Sequence, residues 1–183
     1  MISKAKTQFK KRRDIKSLLS NLTSKVTESL LDGVLAQDGS QADALWVLRE
    51  GLAEALGRAG TVYKYDVSLP LAHFYECAEA MRERLAGTGA TVVAYGHVGD
   101  GNLHLNVSTP AFDERVYKLI EPHIFEWVAA RRGSISAEHG VGVSKPPFMH
   151  LNNSPAALAL MQGIKHTFDP KGILNPYKVL PHH

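Results

Sequence analysis

The chain has 183 residues, 44% of them hydrophobic, which is enough for one domain with a substantial core. Its single cysteine excludes an internal disulfide and any CxxC metal or redox motif. No run of about 18 apolar residues is present, so we predict no transmembrane segment. The net charge of +3 is distributed unevenly along the chain.

Positive charge is concentrated in residues 1–25, where eight lysines and arginines and one acidic residue give a net charge of +7. The other 13 basic and 17 acidic residues give residues 26–183 a net charge of −4. The cluster Lys10–Arg13 is typical of a nucleic-acid or membrane-surface patch, and an acid-poor start is typical of an organellar transit peptide. Because Phe9 is the only aromatic residue in this stretch, we predict a solvated, disordered tail over residues 1–25 and no nucleic-acid partner.

The first predicted elements are a helix, a strand and a second helix. Ser40 is a candidate N-cap, and leucines recur after it at helical spacing until Gly57 and Gly60 end the helix. Residues 62–69 alternate between apolar and polar side chains, which predicts a half-buried strand. Residues 70–85 begin with a proline and predict the second helix.

The rest of the chain predicts a hairpin, two helices and a fourth strand. The hairpin strands cover residues 91–97 and 103–108, a helix follows over 112–131, and residues 134–137 form a short strand. A last helix over 155–168 precedes a turn-rich tail. This order is that of the ferredoxin-like split βαβ unit, so we predict an α+β fold in which helices cover one face of an antiparallel sheet.

The hairpin is predicted to bring two histidines together. Asp100-Gly101 is a preferred dipeptide for a two-residue type I′ turn, which would place His97 directly opposite His104. Paired side chains share a face, with Cβ atoms about 4.5 to 5.5 Å apart. Two imidazoles in this arrangement can share one metal ion, and two surface histidines beside a hairpin tip are the alternative interpretation.

Glu138 is the third candidate metal ligand, because the alternation of the predicted fourth strand places it on the same helix-free face. A His2Glu set leaves coordination positions for substrate or water, as in catalytic zinc sites. Manganese also suits nitrogen and oxygen donors of this kind. We therefore predict a zinc site, with manganese as the alternative, formed by His97, His104 and Glu138.

His139 is the candidate general base. In an extended chain the neighbour of a ligand points elsewhere, and the pKa of a histidine lies near neutrality. A capping or turn role is the alternative interpretation. Gly140 and Gly142 predict a close approach of the backbone to another group at this corner.

Arg49 and Lys64 are candidates for binding an organic acid. Arg49 lies among the apolar positions of its predicted helix, and Lys64 lies on the helix-free face of the first strand. A guanidinium fork suits a carboxylate. Taken singly, each residue also fits a salt-bridged or snorkelling surface position.

Three stretches carry a resemblance to a known family, and these are Tyr95–Val107, Ser136–Gly142 and Phe168–Lys178. With them, the chain from about Asp32 to its end resembles the C-terminal part of the FAD-linked oxidases of the vanillyl-alcohol-oxidase group. Within this group it resembles the branch that acts on D-2-hydroxyglutarate, D-lactate and glycolate. Residues 45–50 and 62–66 look most like the D-2-hydroxyglutarate enzymes.

The resemblance implies an FAD-dependent dehydrogenase that converts a D-2-hydroxyacid, most closely D-2-hydroxyglutarate, to a 2-oxoacid. It implies that His97, His104 and Glu138 bind zinc, which would lower the pKa of the substrate hydroxyl. It implies that His139 accepts the hydroxyl proton as hydride leaves Cα for the flavin. The other roles that it implies are substrate binding by Arg49, Lys64 and Asn106, and flavin contacts by Asn175 and Lys178.

The sequence departs from the family pattern in three places. The large N-terminal FAD-binding domain is not represented, so we expect residues 26–183 to be the substrate and metal half of the enzyme and the isolated chain to reduce no acceptor dye. Ala53 occupies a substrate-helix position that is often threonine in the hydroxyglutarate enzymes. Pro146-Pro147 replaces a usual basic residue, so we expect this corner to bend differently.

Other functions fit some of the same residues. A non-catalytic metal-binding or partner module that docks on a full-length homologue would need an exposed apolar or glycine-rich surface around Gly140 and Gly142. A zinc hydrolase is disfavoured, because the sequence has neither HExxH nor a serine nucleophile elbow.

For the dehydrogenase, the resemblance implies a small 2-hydroxyacid substrate and an electron acceptor that is a protein or a quinone. It also implies a homodimer or an FAD-domain partner. The expected location is mitochondrial in a eukaryote and cytoplasmic in a bacterium.

Overall fold

The computed structural model of the chain describes residues 36–181, so the predicted disordered tail over residues 1–25 lies outside the described residues. The described part of the chain divides into two compact units, with the boundary between Arg58 and Ala59. Within residues 36–181, no helix is both long enough and apolar enough to cross a bilayer.

In the first unit the described element is helix α1, Gly39–Ala59. The prediction that Ser40 is the N-cap is wrong. Asp38 precedes the first turn of the helix, and its Oδ1 accepts the backbone N–H of Gln41 at 2.8 Å. The helix continues through Gly57, since an isolated glycine costs a helix only about 1 kcal/mol.

The second unit is built on a three-stranded antiparallel sheet of β1 (Thr61–Ser68), β2 (Thr91–His97) and β3 (Asn102–Thr109). The strand order is β1-β3-β2, with β3 in the centre. This sheet and the helices described below confirm the predicted α+β class.

The predicted fourth strand over residues 134–137 is reduced to a single bridge between Ser134 and Ser68. Side-chain oxygens accept the hydrogen bonds from backbone N–H groups that a neighbouring strand would otherwise accept. The N–H of Ile135 donates to Oδ1 of Asn152 at 2.8 Å, and the N–H groups of residues 137–139 donate to Asp66. The bridge still lies beside β1, which keeps the strand order of a ferredoxin-like unit.

The helices follow the sequence with one break. A short 3-10 helix, Leu71–His73, leads into α2, Phe74–Arg84. The single helix predicted over 112–131 is instead α3, Glu114–Ile120, and α4, His123–Ala130. Pro122 lies between them and has no backbone N–H to donate, which is why the helix ends there.

The C-terminal part begins with a second 3-10 helix, Pro146–Leu151, followed by α5, Pro155–Phe168. The bounds of α5 agree with the predicted helix. Its first turn is capped by Ser154, whose Oγ accepts the N–H of Ala157 at 3.2 Å.

The core lies between the helices and one face of the sheet. Alternate residues of β1 and β3 supply one side, and α2, α3 and α4 supply the other. The largest fully buried side chains of this unit are Met81, Leu105, Ile120, Ile124 and Phe125. Period-2 alternation therefore presents Lys64, Asp66, His104 and Asn106 on the opposite face of the sheet.

Candidate functional site

The hairpin register differs from the predicted one. Tyr95, not His97, pairs with His104, and His97 pairs with Asn102, so the connection has the four residues 98–101. Gly101 still has the positive φ that the turn requires, at 76°. Within this longer loop the N–H of Gly101 donates to the carbonyl of His97 at 3.2 Å.

The shift moves the pairing by two residues, so His97 and His104 remain on the same face. They are diagonal neighbours instead of direct partners. Their ring centroids are 5.3 Å apart and their planes are nearly perpendicular, at 82°. The structure thus brings the two predicted histidines together by a different register.

His104 occupies the centre of the helix-free face. On the two neighbouring strands its direct partners are Tyr95 and Asp66. Its Nε2 lies 3.2 Å from Oε1 of Glu138, and its Nδ1 lies 3.6 Å from Oδ1 of Asp66. Burial lowers the pKa of His104 below its ordinary value, although the charges of Glu138 and Asp66 oppose this shift. Burial thus favours the neutral ring, the form that can ligate a metal.

Residues 137–139 wrap around the carboxylate of Asp66. The three successive N–H groups of Ala137, Glu138 and His139 donate to its Oδ2 at 3.0, 2.9 and 2.9 Å. Burial of Asp66 alone would raise its pKa, but hydrogen bonds from the backbone of His139 and Glu138 and from the side chain of Asn102 hold that pKa below its ordinary value. Asp66 is thus a charged group inside the protein.

This turn corrects the expectation that Glu138 and His139 point apart. Because residues 137–139 curve around one oxygen instead of extending, both side chains lie on the same side of the loop. Nε2 of His139 is 3.7 Å from Oε1 of Glu138. The ring of His139 stacks on that of His104 with a centroid distance of 5.6 Å.

Four residues offer ligand atoms that all lie within 4.8 Å of one another, and these are Asp66, His104, Glu138 and His139. This group, which we call the histidine–carboxylate cluster, combines imidazole nitrogens and carboxylate oxygens, donors that suit zinc or manganese. His97 is outside the cluster by this distance, although its ring contacts that of His104. The donor chemistry therefore fits a divalent cation.

The predicted substrate residues of the second unit lie beside this cluster. Lys64 and Asn106 are direct cross-strand partners, two residues along each strand from Asp66 and His104 and therefore on the same face. Lys64 is exposed, whereas Asn106 is buried and donates from Nδ2 to the carbonyl of His104 at 3.3 Å. Arg49 belongs to α1 of the first unit, where its Nη1 lies 3.4 Å from Oε1 of Glu50.

The predicted flavin residues Asn175 and Lys178 line a surface pocket of about 360 Å³ in the C-terminal tail. Asp169 anchors this tail, since its buried carboxylate accepts the N–H groups of Ile173 and Leu174 at 3.0 and 2.9 Å. Further along, the N–H of Val179 donates to the carbonyl of Gly142 at 2.8 Å. The tail therefore contacts the corner that follows His139.

Two residues of the site were not singled out from the sequence. Asp66 is only 2% exposed, and its importance depends on the register between β1 and β3, which alternation alone does not fix. Lys145 is also buried, and its Nζ donates to the carbonyl of Asp66 at 3.3 Å and lies 5.9 Å from the Phe125 ring. Burial lowers the pKa of Lys145. A lysine directly before Pro146-Pro147 gives no sequence signal of burial.

Comparison with known proteins gives one family and several close relatives. Residues 4–179 match the family described as FAD linked oxidases, C-terminal domain. A protein of Arabidopsis thaliana named D-2-hydroxyglutarate dehydrogenase, mitochondrial, is 52% identical over 168 residues, which cover 92% of this chain and 29% of the relative. The proteins of the same name from Bos taurus and Danio rerio are 51% and 47% identical.

The matches to the Bos taurus and Danio rerio proteins cover 83% and 92% of this chain. They cover only 28% and 32% of those relatives. The chain therefore spans less than a third of the length of each of these three proteins.

Proposed function

The chain belongs to the FAD-linked oxidases through their C-terminal domain, and from this membership we propose that it is the substrate- and metal-binding part of an FAD-dependent D-2-hydroxyacid dehydrogenase. D-2-Hydroxyglutarate is the proposed substrate, because three relatives at 47 to 52% identity carry its name. The product is the corresponding 2-oxoacid. Since those relatives are named mitochondrial, we propose the same location for this chain in a eukaryote.

The observation that supports this proposal most strongly is the meeting of His104, Glu138 and His139 beside the pair Lys64 and Asn106. One group of side chains offers metal ligands and a base, and the other offers a cation and an amide for an organic acid. Both groups lie on the helix-free face, so a small hydroxyacid can contact both at once. A hydroxyacid dehydrogenase needs these two capacities together.

The proposed metal ligands are His97, His104 and Glu138, with zinc as the ion and manganese as the alternative. Nε2 of His104 and Oε1 of Glu138 already face each other at 3.2 Å. His97 is retained as the third ligand because its ring borders that of His104. A bound divalent ion supplies a Lewis acid that polarises the substrate hydroxyl.

His139 is proposed as the base that accepts the hydroxyl proton. Its side chain is 61% exposed, so a substrate can reach it, and its Nε2 lies 3.7 Å from the carboxylate of Glu138. That carboxylate can stabilise the imidazolium that forms after proton transfer. Histidine suits this task since its ordinary pKa lies near neutrality.

Lys64, Asn106 and Arg49 are proposed to bind the substrate. The ammonium of Lys64 can pair with a carboxylate, and the Asn106 amide lies directly across the strand from it. Arg49 is proposed from the family resemblance, since a guanidinium fork suits a carboxylate.

Asn175 and Lys178, on the tail that contacts Gly142, are proposed to touch the flavin. FAD, when bound, would supply the redox chemistry, and the proposed electron acceptor is a protein or a quinone.

The alternative is a non-catalytic metal-binding module that docks on a larger homologue. It is favoured by apolar side chains exposed near Gly142 and along the tail, including Val143, Ile173 and Tyr177. A flavin-binding domain would cover the same surface in the dehydrogenase. The two functions therefore differ in whether the chain binds the hydroxyacid.

The test is a calorimetric titration of D-2-hydroxyglutarate into the zinc-loaded chain, with the L enantiomer as the matched control. The proposed dehydrogenase part binds the D form in preference, and the isolated chain reduces no acceptor dye. Equal or absent binding of both enantiomers would contradict the proposal and favour the docking module. Dye reduction by a chain without FAD absorbance would contradict both.

A further inference from the structure

We propose that Asp66 is the positioning residue of the histidine–carboxylate cluster, in that its buried carboxylate fixes the loop that carries Glu138 and His139 against His104. The metal-binding part of this inference rests on the proposed function, whereas the positioning of the loop does not. Asp66 lies on β1, far from residues 137–139 in sequence, and it joins the sheet to the loop through one side chain.

The hydrogen bonds of Asp66 leave its oxygens little capacity to ligate a metal. Oδ2 accepts three backbone N–H groups at 2.9 to 3.0 Å, and Oδ1 accepts Nδ2 of Asn102 at 2.7 Å. An ionised carboxylate offers about four lone-pair positions, two on each oxygen. The three backbone donors saturate Oδ2, and Oδ1, which accepts Asn102 and faces Nδ1 of His104 at 3.6 Å, keeps about one position. Although Asp66 is near enough to belong to the cluster, its role is therefore to hold other groups in place.

The loop needs such an acceptor to adopt its conformation. Three successive N–H groups that converge on one point form a concave anion site, and without an anion they would be left unpaired inside the protein. An extended arrangement would satisfy them elsewhere and turn Glu138 and His139 to opposite sides of the chain. The Asp66 carboxylate thereby positions the side chains of Glu138 and His139 against His104.

Asp66 also lies behind the ring of His104. Nδ1 of His104 is 3.6 Å from Oδ1 of Asp66, while Nε2 faces Glu138 at 3.2 Å. Histidines that bind metals generally direct their second nitrogen towards a carboxylate or carbonyl, which sets the orientation of the ring. The same carboxylate thus orients the ring and the loop that faces it.

Asp66 itself is held from two directions. The side chain of Asn102, which begins β3, donates to both Oδ1 of Asp66 and the carbonyl of Val67. Nζ of Lys145 donates to the backbone carbonyl of Asp66 at 3.3 Å. These contacts hold the Asp66 carboxylate in place, and the N–H groups of residues 137–139 are positioned by it.

The test compares wild type, Asp66→Ala and Asp66→Asn in the full chain. The first readout is hydrogen exchange at the amides of residues 137–139 in the zinc-free protein, measured by NMR. The second readout is the affinity for zinc alone, measured by competition with a chelator. Asp113→Ala is the control, since Asp113 also accepts a backbone N–H, from Arg115 at 2.8 Å, but caps α3 away from the site.

We expect exchange at residues 137–139 to become at least about tenfold faster in Asp66→Ala, and zinc affinity to fall about 10- to 100-fold. Asp66→Asn, which keeps a weaker acceptor, should fold and lie between wild type and Asp66→Ala in both readouts. Asp113→Ala should change neither. Wild-type exchange at residues 137–139 in either folded Asp66 variant would overturn the inference.

Zinc binding by the wild-type chain tests the proposed metal site, and hydrogen exchange at residues 137–139 tests the role of Asp66 separately. If the wild-type chain binds no zinc, the proposed metal site is wrong, and the exchange measurement alone still decides whether Asp66 positions the loop. If the wild-type chain binds zinc and both Asp66 variants bind it equally well with unchanged exchange, the metal site stands and the role of Asp66 is wrong. If Asp66→Ala does not fold, Asp66→Asn carries the comparison.

Discussion

Nε2 of His104 lies 3.2 Å from Oε1 of Glu138, and the two residues reach this distance from different kinds of structure. His104 is held in the central strand of the sheet, between partners on both sides. Glu138 lies in a loop whose backbone is bound by Asp66. Because both backbones are held in place, a cation between the two side chains would require little rearrangement, which lowers the cost of binding it.

Glu138→Gln should weaken zinc binding by at least about tenfold, because the amide keeps the size of the side chain but removes the anionic ligand. Calorimetric titration of zinc measures this directly. The matched control is Glu114→Gln, since Glu114 forms an exposed ion pair with Lys118 on α3. Unchanged zinc affinity in Glu138→Gln would argue against Glu138 as a ligand.

Lys64→Met should weaken the binding of D-2-hydroxyglutarate to the zinc-loaded chain by about tenfold, since a hydrogen bond to a charged group contributes about 1.5 to 3 kcal/mol. NMR chemical-shift titration gives the dissociation constant. Lys118→Met removes a surface lysine of α3 and serves as the control. If both variants bind the hydroxyacid as wild type does, Lys64 has no role in substrate binding.

Cys77 should resist thiol reagents in the folded protein. Its side chain is 1% exposed, and burial raises its pKa to about 12. The reactive thiolate is therefore scarce at pH 8, and the reagent cannot reach the sulfur without unfolding. Spectrophotometric thiol titration should show negligible reaction at pH 8 and full reaction in denaturant. Rapid labelling of the native chain would show that α2 does not bury Cys77.

Much of the fold could be predicted from local patterns. Alternation of apolar and polar side chains predicts β1 and the two hairpin strands, and the predicted helix over 155–168 agrees with α5. These features depend on neighbours in sequence. The break of the long helix at Pro122 is also a local effect, because a proline in the interior of a predicted helix lacks the N–H that the helix needs.

Other features depend on contacts between distant residues, which local patterns do not encode. The hairpin loop has four residues because Asn102 begins β3, where its side chain binds Asp66 and Val67. The fourth strand is lost because residues 137–139 donate to Asp66 instead of to a strand. One buried carboxylate thus accounts for both the altered register and the shape of the candidate site.

Elemental analysis of the zinc-loaded, desalted chain measures whether His104 and its neighbours bind a divalent cation. We expect about one zinc ion per wild-type chain, none in His104→Ala, and full occupancy in His150→Ala, whose histidine lies in the second 3-10 helix. A folded wild-type chain without zinc, or full occupancy in His104→Ala, would contradict the proposed metal site.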